Sequence, residues 1–351
     1  MKLKKVLIIG AGQRVTQAIL PALKHLKNKF SVTDIYSRTE KRIQTSSAPT
    51  QTRKTITSLQ KVNFLNLDII IVAVTPENVP DVLEKLSHYD TKHITLFLDT
   101  PVLRIKHLWA TRYLTQFYCV LVSEDSIALP NFEIAKKIIT SNKIGKLKHI
   151  YLFYDAYKYH ALALLKTLTT TNYVNIITRR DFRNGFATLN MTFPYGVTAT
   201  LLEPRNYEAG KFLIIGEKGS IADYELKTKN SFTLNYQEKN NIYNGIFLKG
   251  PINSPPVSVL LRDSKIISSL TNYTRNNHLK IEGLIKLYDS FDTISTYRYS
   301  YWDALYDNFI FVYLEKFNVF IDVEIPGTGH SLVFYLIQAW AFLLRLRLSP
   351  R

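Results

Sequence analysis

Sulfur is scarce in this chain: one cysteine, Cys119, and two methionines among 351 residues. A lone thiol forms no internal disulfide, which excludes a disulfide-stapled secreted scaffold and points to a reducing, cytoplasmic setting. Glycine and proline are sparse, 13 of each, which excludes collagenous and low-complexity architectures. No apolar run reaches the roughly 20 residues of a membrane span. The longest, residues 332–344, is interrupted by Gln338. The short apolar stretch at residues 6–9 runs into a glycine turn rather than a cleavage site, so no secretory leader is expected. The histidines are scattered without metal-ligand spacing, and neither a Walker-type lysine loop nor a nucleophile elbow occurs. Acidic residues are in deficit: 28 against 45 Lys plus Arg leave a net charge of +17. The excess is spread along the chain, and such a field favours anionic partners without choosing among nucleic acid, anionic lipid and a phosphorylated small molecule.

What is present is a chain that is 46% hydrophobic and long enough for two cores of ordinary domain size. Residues 5–9 form a continuous apolar run ending in Gly10-Ala11-Gly12, and an amphipathic stretch from Arg14 to about Lys29 follows. Further apolar runs at 30–36, 67–74 and 94–98 end at Ser37-Arg38, Thr75-Pro76 and Asp99-Thr100-Pro101, with a helical pattern at 79–86. Buried strands alternating with helices predict an α/β fold with a doubly wound parallel sheet. Strand, glycine turn, helix is the order that a phosphate-binding turn requires. Gly10 permits the tight turn. Gly12 lets the backbone approach a pyrophosphate, which the free N–H groups and dipole of the next helix attract near Ala11, Gln13 and Arg14. The third glycine of the fingerprint falls on Val15, whose branched side chain is expected to push helix and strand apart.

At the end of the second strand a carboxylate would bind the ribose 2'-hydroxyl of NAD(H). Ser37 and Arg38 stand there instead, with Lys41, Arg42, Arg53, Lys54 and Lys61 beyond them. The Arg38 fork and the Ser37 hydroxyl suit a dianionic 2'-phosphate, so NADP(H) is expected over NAD(H). A solvated basic face is the plainer alternative.

The series Gly10-Ala11-Gly12, Tyr36-Ser37-Arg38-Thr39, Asp68 through Thr75-Pro76, and Asp99-Thr100-Pro101 resembles the Gfo/Idh/MocA oxidoreductases. Ser123-Glu124-Asp125, Pro130, the stretch from Lys143 to Leu147, and Gly216 to Ile221 look like later landmarks of that family. The resemblance implies a Rossmann domain over residues 1–122. It also implies an α/β domain over 123–351, whose open, largely antiparallel sheet offers one face to nicotinamide and substrate and makes a homo-oligomer. The residues agree on the second point. Strand, turn, strand is expected at 186–193, 194–196 and 197–202, strands at 211–215 and 220–225, and helices at 279–294 and 302–317. A terminal helix at 331–346 is expected on the sheet, its alternative being a peripheral membrane contact through Arg345 and Arg347.

The resemblance also implies chemistry, and here the chain departs from it. The family lysine beside the reacting carbon falls on Thr100, flanked by Asp99 and Pro101. Threonine holds an oxygen but is neither a cation nor a useful base. The family histidine falls on His160, but its aspartate four residues earlier is Ala156, and Asp155 misses the register by one. His160 remains an acid or base near neutral pH, and Lys158 or Tyr157 are candidates for the missing proton donor, as Tyr154 and Tyr159 are for an aromatic wall. Arg179, Arg180 and Arg183 are candidates for an anionic substrate group, with an exposed turn as the plainer reading. The expected function is NAD(P)-dependent hydride transfer to or from a hydroxyl or carbonyl compound, a sugar or nucleotide sugar, with His160, Asp99, Thr100 and Lys158 as catalytic candidates. The alternative is a catalytically lapsed dinucleotide-binding relative serving as a sensor or complex subunit. Nucleic acid is not expected as a partner, since no groove-reading motif or concentrated basic patch occurs.

Overall fold

The computed structural model describes residues 2–44, 52–172, 174–182, 185–206, 210–226, 228–239, 242–251, 257–260, 275–290, 299–317 and 321–322. Contacts divide them into two compact units. Of the described residues, one unit holds those up to 128 and those within 280–305; the other holds those within 129–260, 275–279 and 306–322. The expected helix at 331–346, with Arg345 and Arg347, and Arg183 lie outside the described residues.

In the first unit, β1 (Lys4–Ile9), β2 (Phe30–Tyr36), β5 (Ile69–Val72), β6 (Thr95–Asp99) and β7 (Cys119–Ser123) form a parallel sheet in the order β2-β1-β5-β6-β7. Val6, Leu7, Ile8 and Ile9 are buried because β1 is a central strand with both faces covered. Strand order reverses between β1 and β5, which opens a crevice at their carboxyl ends. Helix α1 (Leu20–His25) returns the chain to β2, and α2 (Val79–Leu86) joins β5 to β6. Between β2 and β5 the described residues contain no α-helix. A two-stranded ribbon, β3 (Arg42–Gln44) with β4 (Thr52–Lys54), takes that place. The chain then rejoins the sheet through a single parallel bridge from Ile56 to Tyr36. Cys119 is only half-buried, because β7 is an edge strand.

The second unit is built on a ten-stranded, largely antiparallel sheet. Its centre pairs β8 (Leu147–Phe153) in parallel with β11 (Thr198–Glu203) and antiparallel with β12 (Lys211–Gly216). Outward from β11 lie β10 (Ala187–Thr192) and β9 (Ile176–Asp181). Period-two alternation decides the two faces. Ile150 and Leu152 of β8 point into a core shared with Ala161, Leu162 and Leu165 of α4 (Lys158–Thr169), while His149, Tyr151 and Phe153 line the other, open face. Later helices are α5 (Arg275–Asp289) and α6 (Tyr301–Phe317). A buried ion pair, Lys166 Nζ to Asp307 Oδ1 at 2.8 Å, ties α4 to α6.

Candidate active site

The glycine turn after β1 does two different jobs. Gly10 has φ +126°, and a Cβ there would lie 2.1 Å from the Ala73 carbonyl oxygen, so it is the glycine that lets β1 and β5 run side by side into the turn. Gly12 faces nothing within 4 Å where a Cβ would stand. The N–H groups of Val15 and Thr16 both donate to the Gly12 carbonyl at 3.1 Å. Those of the preceding turn residues stand free of the helix ladder, as at any helix start. Val15, expected to push helix and strand apart, is fully buried. The helix accommodates it by opening as a π turn, Val15–Ile19, closed by Leu20 N–H donating to Val15 O.

A cleft of about 620 Å³ lies over this turn. Gly10, Ala11, Gly12, Gln13 and Arg14 form its floor, Ser37, Arg38 and Lys41 one end, and Thr75, Pro76 and Asn78 a wall. Asp99, Thr100 and Pro101 complete the other end. Every residue expected to touch a dinucleotide therefore borders one cavity, at the topological switch point of the sheet.

At the Asp99 end the charges are mutually engaged. Arg14 Nε donates to both Asp99 oxygens at 3.1 Å, and its Nη1 donates to Asp125 Oδ2 at 3.0 Å. Burial works against the Arg14 charge, and Asp125 and Asp99 outweigh it, so its pKa stands above the ordinary arginine value. Below the pair, Ser123 Oγ lies 3.3 Å from the phenol of Tyr288, which burial holds well above the usual tyrosine range. Asp99, expected to orient substrate, thus meets an arginine from the phosphate turn, and Thr100 beside it is half-buried.

At the other end the charges are looser. Arg38 is exposed, and its Nη1 donates to Asn78 Oδ1 at 3.4 Å. The Ser37 hydroxyl, expected to reach a phosphate, is turned inward: it donates to the Thr39 carbonyl at 2.5 Å and lies 2.8 Å from Thr55 Oγ1. Of the basic residues beyond, Lys54 pairs with Glu40 at 3.0 Å, and Arg53 donates to the Val32 carbonyl at 2.7 Å.

In the second unit, His160 sits on the first turn of α4, half-buried, its ring 4.3 Å from that of Tyr159. The helix start has no side-chain cap of its own. Buried Glu203 supplies one: Oε1 accepts Lys158 N–H at 3.1 Å while Oε2 accepts Arg179 Nη1 at 2.9 Å. Tyr154 and Lys158 flank this entry with φ of +57° and +45°, conformations that non-glycine residues hold only under surrounding constraint. Gly210 provides some of it, since a Cβ there would lie 2.8 Å from Asp155 Cα. Lys158 Nζ lies 4.8 Å from the centre of the Tyr157 ring. Arg179, a candidate anion ligand, is paired with Glu203 and Asp181, and Arg180 lies over Phe182 at 5.4 Å.

The family described as NADP oxidoreductase, coenzyme F420-dependent, has a model that matches residues 5–98, from β1 to the end of β6. No curated protein sequence matches significantly. Among solved structures, a super-repressor mutant of Gal80p from Saccharomyces cerevisiae aligns at TM-score 0.62 and 16% identity, over 90% of this chain and 96% of that one. A myo-inositol dehydrogenase from Corynebacterium glutamicum aligns at TM-score 0.56 and 11% identity, over 87% and 93%. An oxidoreductase from Agrobacterium radiobacter, in complex with NAD+, L-tartaric acid and magnesium, aligns at 0.57 and 12%, again over 87% and 93%. The chain shares the fold of these solved structures.

Within that fold, the partners of the charged residues are set by tertiary structure. Nothing in the spacing of Arg14, Asp99 and Asp125 announces an ion-pair cluster, because strand ends far apart in sequence meet only in the sheet. Thr55 and Glu203 are equally silent as isolated residues. Among the described residues no helix is long and apolar enough to cross a membrane, and no group of three or more His, Cys, Asp or Glu could hold a metal ion.

Proposed function

We propose that this chain is an NADP(H)-dependent oxidoreductase that moves hydride between the nicotinamide and a hydroxyl or carbonyl compound, a sugar or nucleotide sugar. The observation that carries the reading is the open space in front of Gly12, bordered by a helix start and by the carboxyl ends of β1 and β5. A pyrophosphate fits there, and a side chain would fill it. The backbone of residues 10–13 would hold that group, Arg38 and Lys41 the 2'-phosphate, and Thr75, Pro76, Thr100 and Pro101 the nicotinamide end. The bound dinucleotide supplies or accepts the hydride. The chain supplies the rest: the Thr100 hydroxyl holds a substrate oxygen, His160 moves the proton, and Lys158 is its alternative donor. The capped, constrained entry to α4 supports that assignment, because it holds the Lys158 backbone two residues before His160. The general positive charge is compatible with the phosphates of a nucleotide sugar. The half-buried aromatics Tyr151 and Phe153 on the open sheet face support a homo-oligomer, which sedimentation velocity tests.

A second reading is a dinucleotide-binding protein without catalysis. Threonine in place of a lysine, and Asp99 held by Arg14, favour it. Fluorescence titration with NADPH and NADH, repeated on Arg38→Ala, tests the common part. Preferential NADPH binding that the substitution abolishes supports the cofactor assignment, and absence of binding by either dinucleotide sinks it. A screen of sugars and nucleotide sugars with wild type and His160→Ala then separates the readings: turnover lost in the variant supports the enzyme, and binding without turnover across the screen supports the lapsed relative.

A further inference from the structure

The loop that carries Arg38 and Lys41 is closed on itself by one buried side chain. Thr55 follows β4 and is 5% exposed. Its Oγ1 accepts the Lys41 N–H at 2.9 Å and shares a hydrogen bond with the Ser37 hydroxyl at 2.8 Å. Its own N–H donates to the Lys41 carbonyl at 2.9 Å. Next to it, Ser37 N–H donates to the Ile56 carbonyl at 3.0 Å, and Ile56 N–H to the Ile35 carbonyl at 2.9 Å. The five residues from Ser37 to Lys41 are thus pinned at both ends, and the pins converge on Thr55. Arg38, Thr39 and Lys41, all exposed, project from the pinned loop and border the cleft. Opposite them Asn78, whose Nδ2 donates to Thr75 Oγ1 at 2.6 Å, offers Arg38 a neutral and long contact at 3.4 Å. An incoming dianion readily outcompetes such a contact.

We infer that Thr55 is a positioning residue for cofactor choice, holding loop 37–41 in the shape that aims Arg38 and Lys41 together at the 2'-phosphate of NADP(H). The inference rests on the dinucleotide reading above. It also explains why Ser37 faces inward: its hydroxyl belongs to the pin, and the recognition passes to the two cations. A ribbon in place of the helix usual after the second strand is what delivers Thr55 to this point. A hydroxyl is required because Thr55 must accept the Lys41 amide proton and bond Ser37 at once, and valine, of nearly the same shape, does neither.

Calorimetric titration of the full chain with NADP+ and with NAD+ tests this on wild type, Thr55→Val and Thr55→Ser. Wild type is expected to prefer NADP+. Thr55→Val is expected to lose about tenfold in NADP+ affinity, as one or two charge-assisted contacts slacken, with NAD+ affinity kept within about twofold. Thr55→Ser, which retains the hydroxyl, is expected to stay near wild type. NADP+ affinity unchanged in Thr55→Val overturns the inference, and so does an equal loss for both dinucleotides, the signature of a merely structural residue. If Thr55→Val fails to fold, Thr55→Ala, which introduces no new bulk, is read by the same ratio. A wild-type protein that binds NAD+ alone, or neither dinucleotide, brings down the cofactor reading and this inference with it, whereas the preceding outcomes bring down the inference alone.

Discussion

At one end of the cleft Arg38 is exposed and meets neutral Asn78 at 3.4 Å; at the other Arg14 meets two carboxylates at 3.0 and 3.1 Å, with side-chain exposures of 25% for Arg14, 11% for Asp99 and 5% for Asp125. The same side chain does opposite work in the two places. An exposed cation with a weak neutral contact keeps its charge available to a ligand. A cation gripped by two nearly buried carboxylates cross-links the phosphate turn to the ends of β6 and β7, and removing it strands their charges. Residue type alone therefore says little about role. Burial and partner count say most of it.

The contrast is broken most severely at the buried end. Arg14→Ala leaves Asp99 and Asp125 without their guanidinium and is expected to cost about 3–5 kcal/mol of stability, read as a lowered urea midpoint for the first unit. A midpoint unchanged from wild type would show that the Arg14 ion pairs contribute little to the fold. Arg38→Ala is expected to do the reverse, leaving the urea midpoint in place while weakening NADP+ by about thirtyfold, through loss of about 2 kcal/mol of charge-assisted bonding. Equal weakening of NAD+ in that variant would count against a 2'-phosphate contact. Gly12→Ala puts a methyl group into the open space between the two ends. It should weaken both dinucleotides by about tenfold at a stability cost of no more than about 1 kcal/mol, since alanine is a poorer residue than glycine just before a helix, and unimpaired binding would argue that no ligand phosphate sits there. The smallest effect is expected at Glu77, whose ion pair with Arg104 at 2.8 Å lies in solvent. Its pKa is lowered by backbone and Arg104 hydrogen bonds, yet Glu77→Gln should change stability by less than about 1 kcal/mol. A larger loss would show that exposure is a poorer guide than the Arg14 and Arg38 pair suggests.

The parallel sheet was legible because its strands are short continuous apolar runs, each closed by a glycine, proline or polar turn, and runs such as residues 67–74 have no other stable use than burial on both faces. Gly10 and Gly12 were legible by position, as the turn between first strand and first helix. Val15 was legible as a departure from the glycine fingerprint, and the π turn Val15–Ile19 that begins at this buried side chain was not, since nothing in the local pattern announces it. Ser37 was read with Arg38 as suited to a 2'-phosphate, while its hydroxyl lies 2.8 Å from that of Thr55, far along the chain. His160 lies on the first turn of a helix, and the carboxylate that anchors that start comes from Glu203 on β11 and not from the preceding segment.

Composition, periodicity and turn chemistry by themselves determined the parallel α/β sheet, the strand, glycine turn and helix that open it, and the basic character of the loop after the second strand. These depend on residues that act within one strand, one turn or one helix, where order along the chain is order in space. Tertiary structure alone decided which charges are committed and which are available. An ion pair such as Arg14 with Asp99, or a pin such as Thr55 on Ser37, forms between residues that only the closed sheet brings within hydrogen-bond distance.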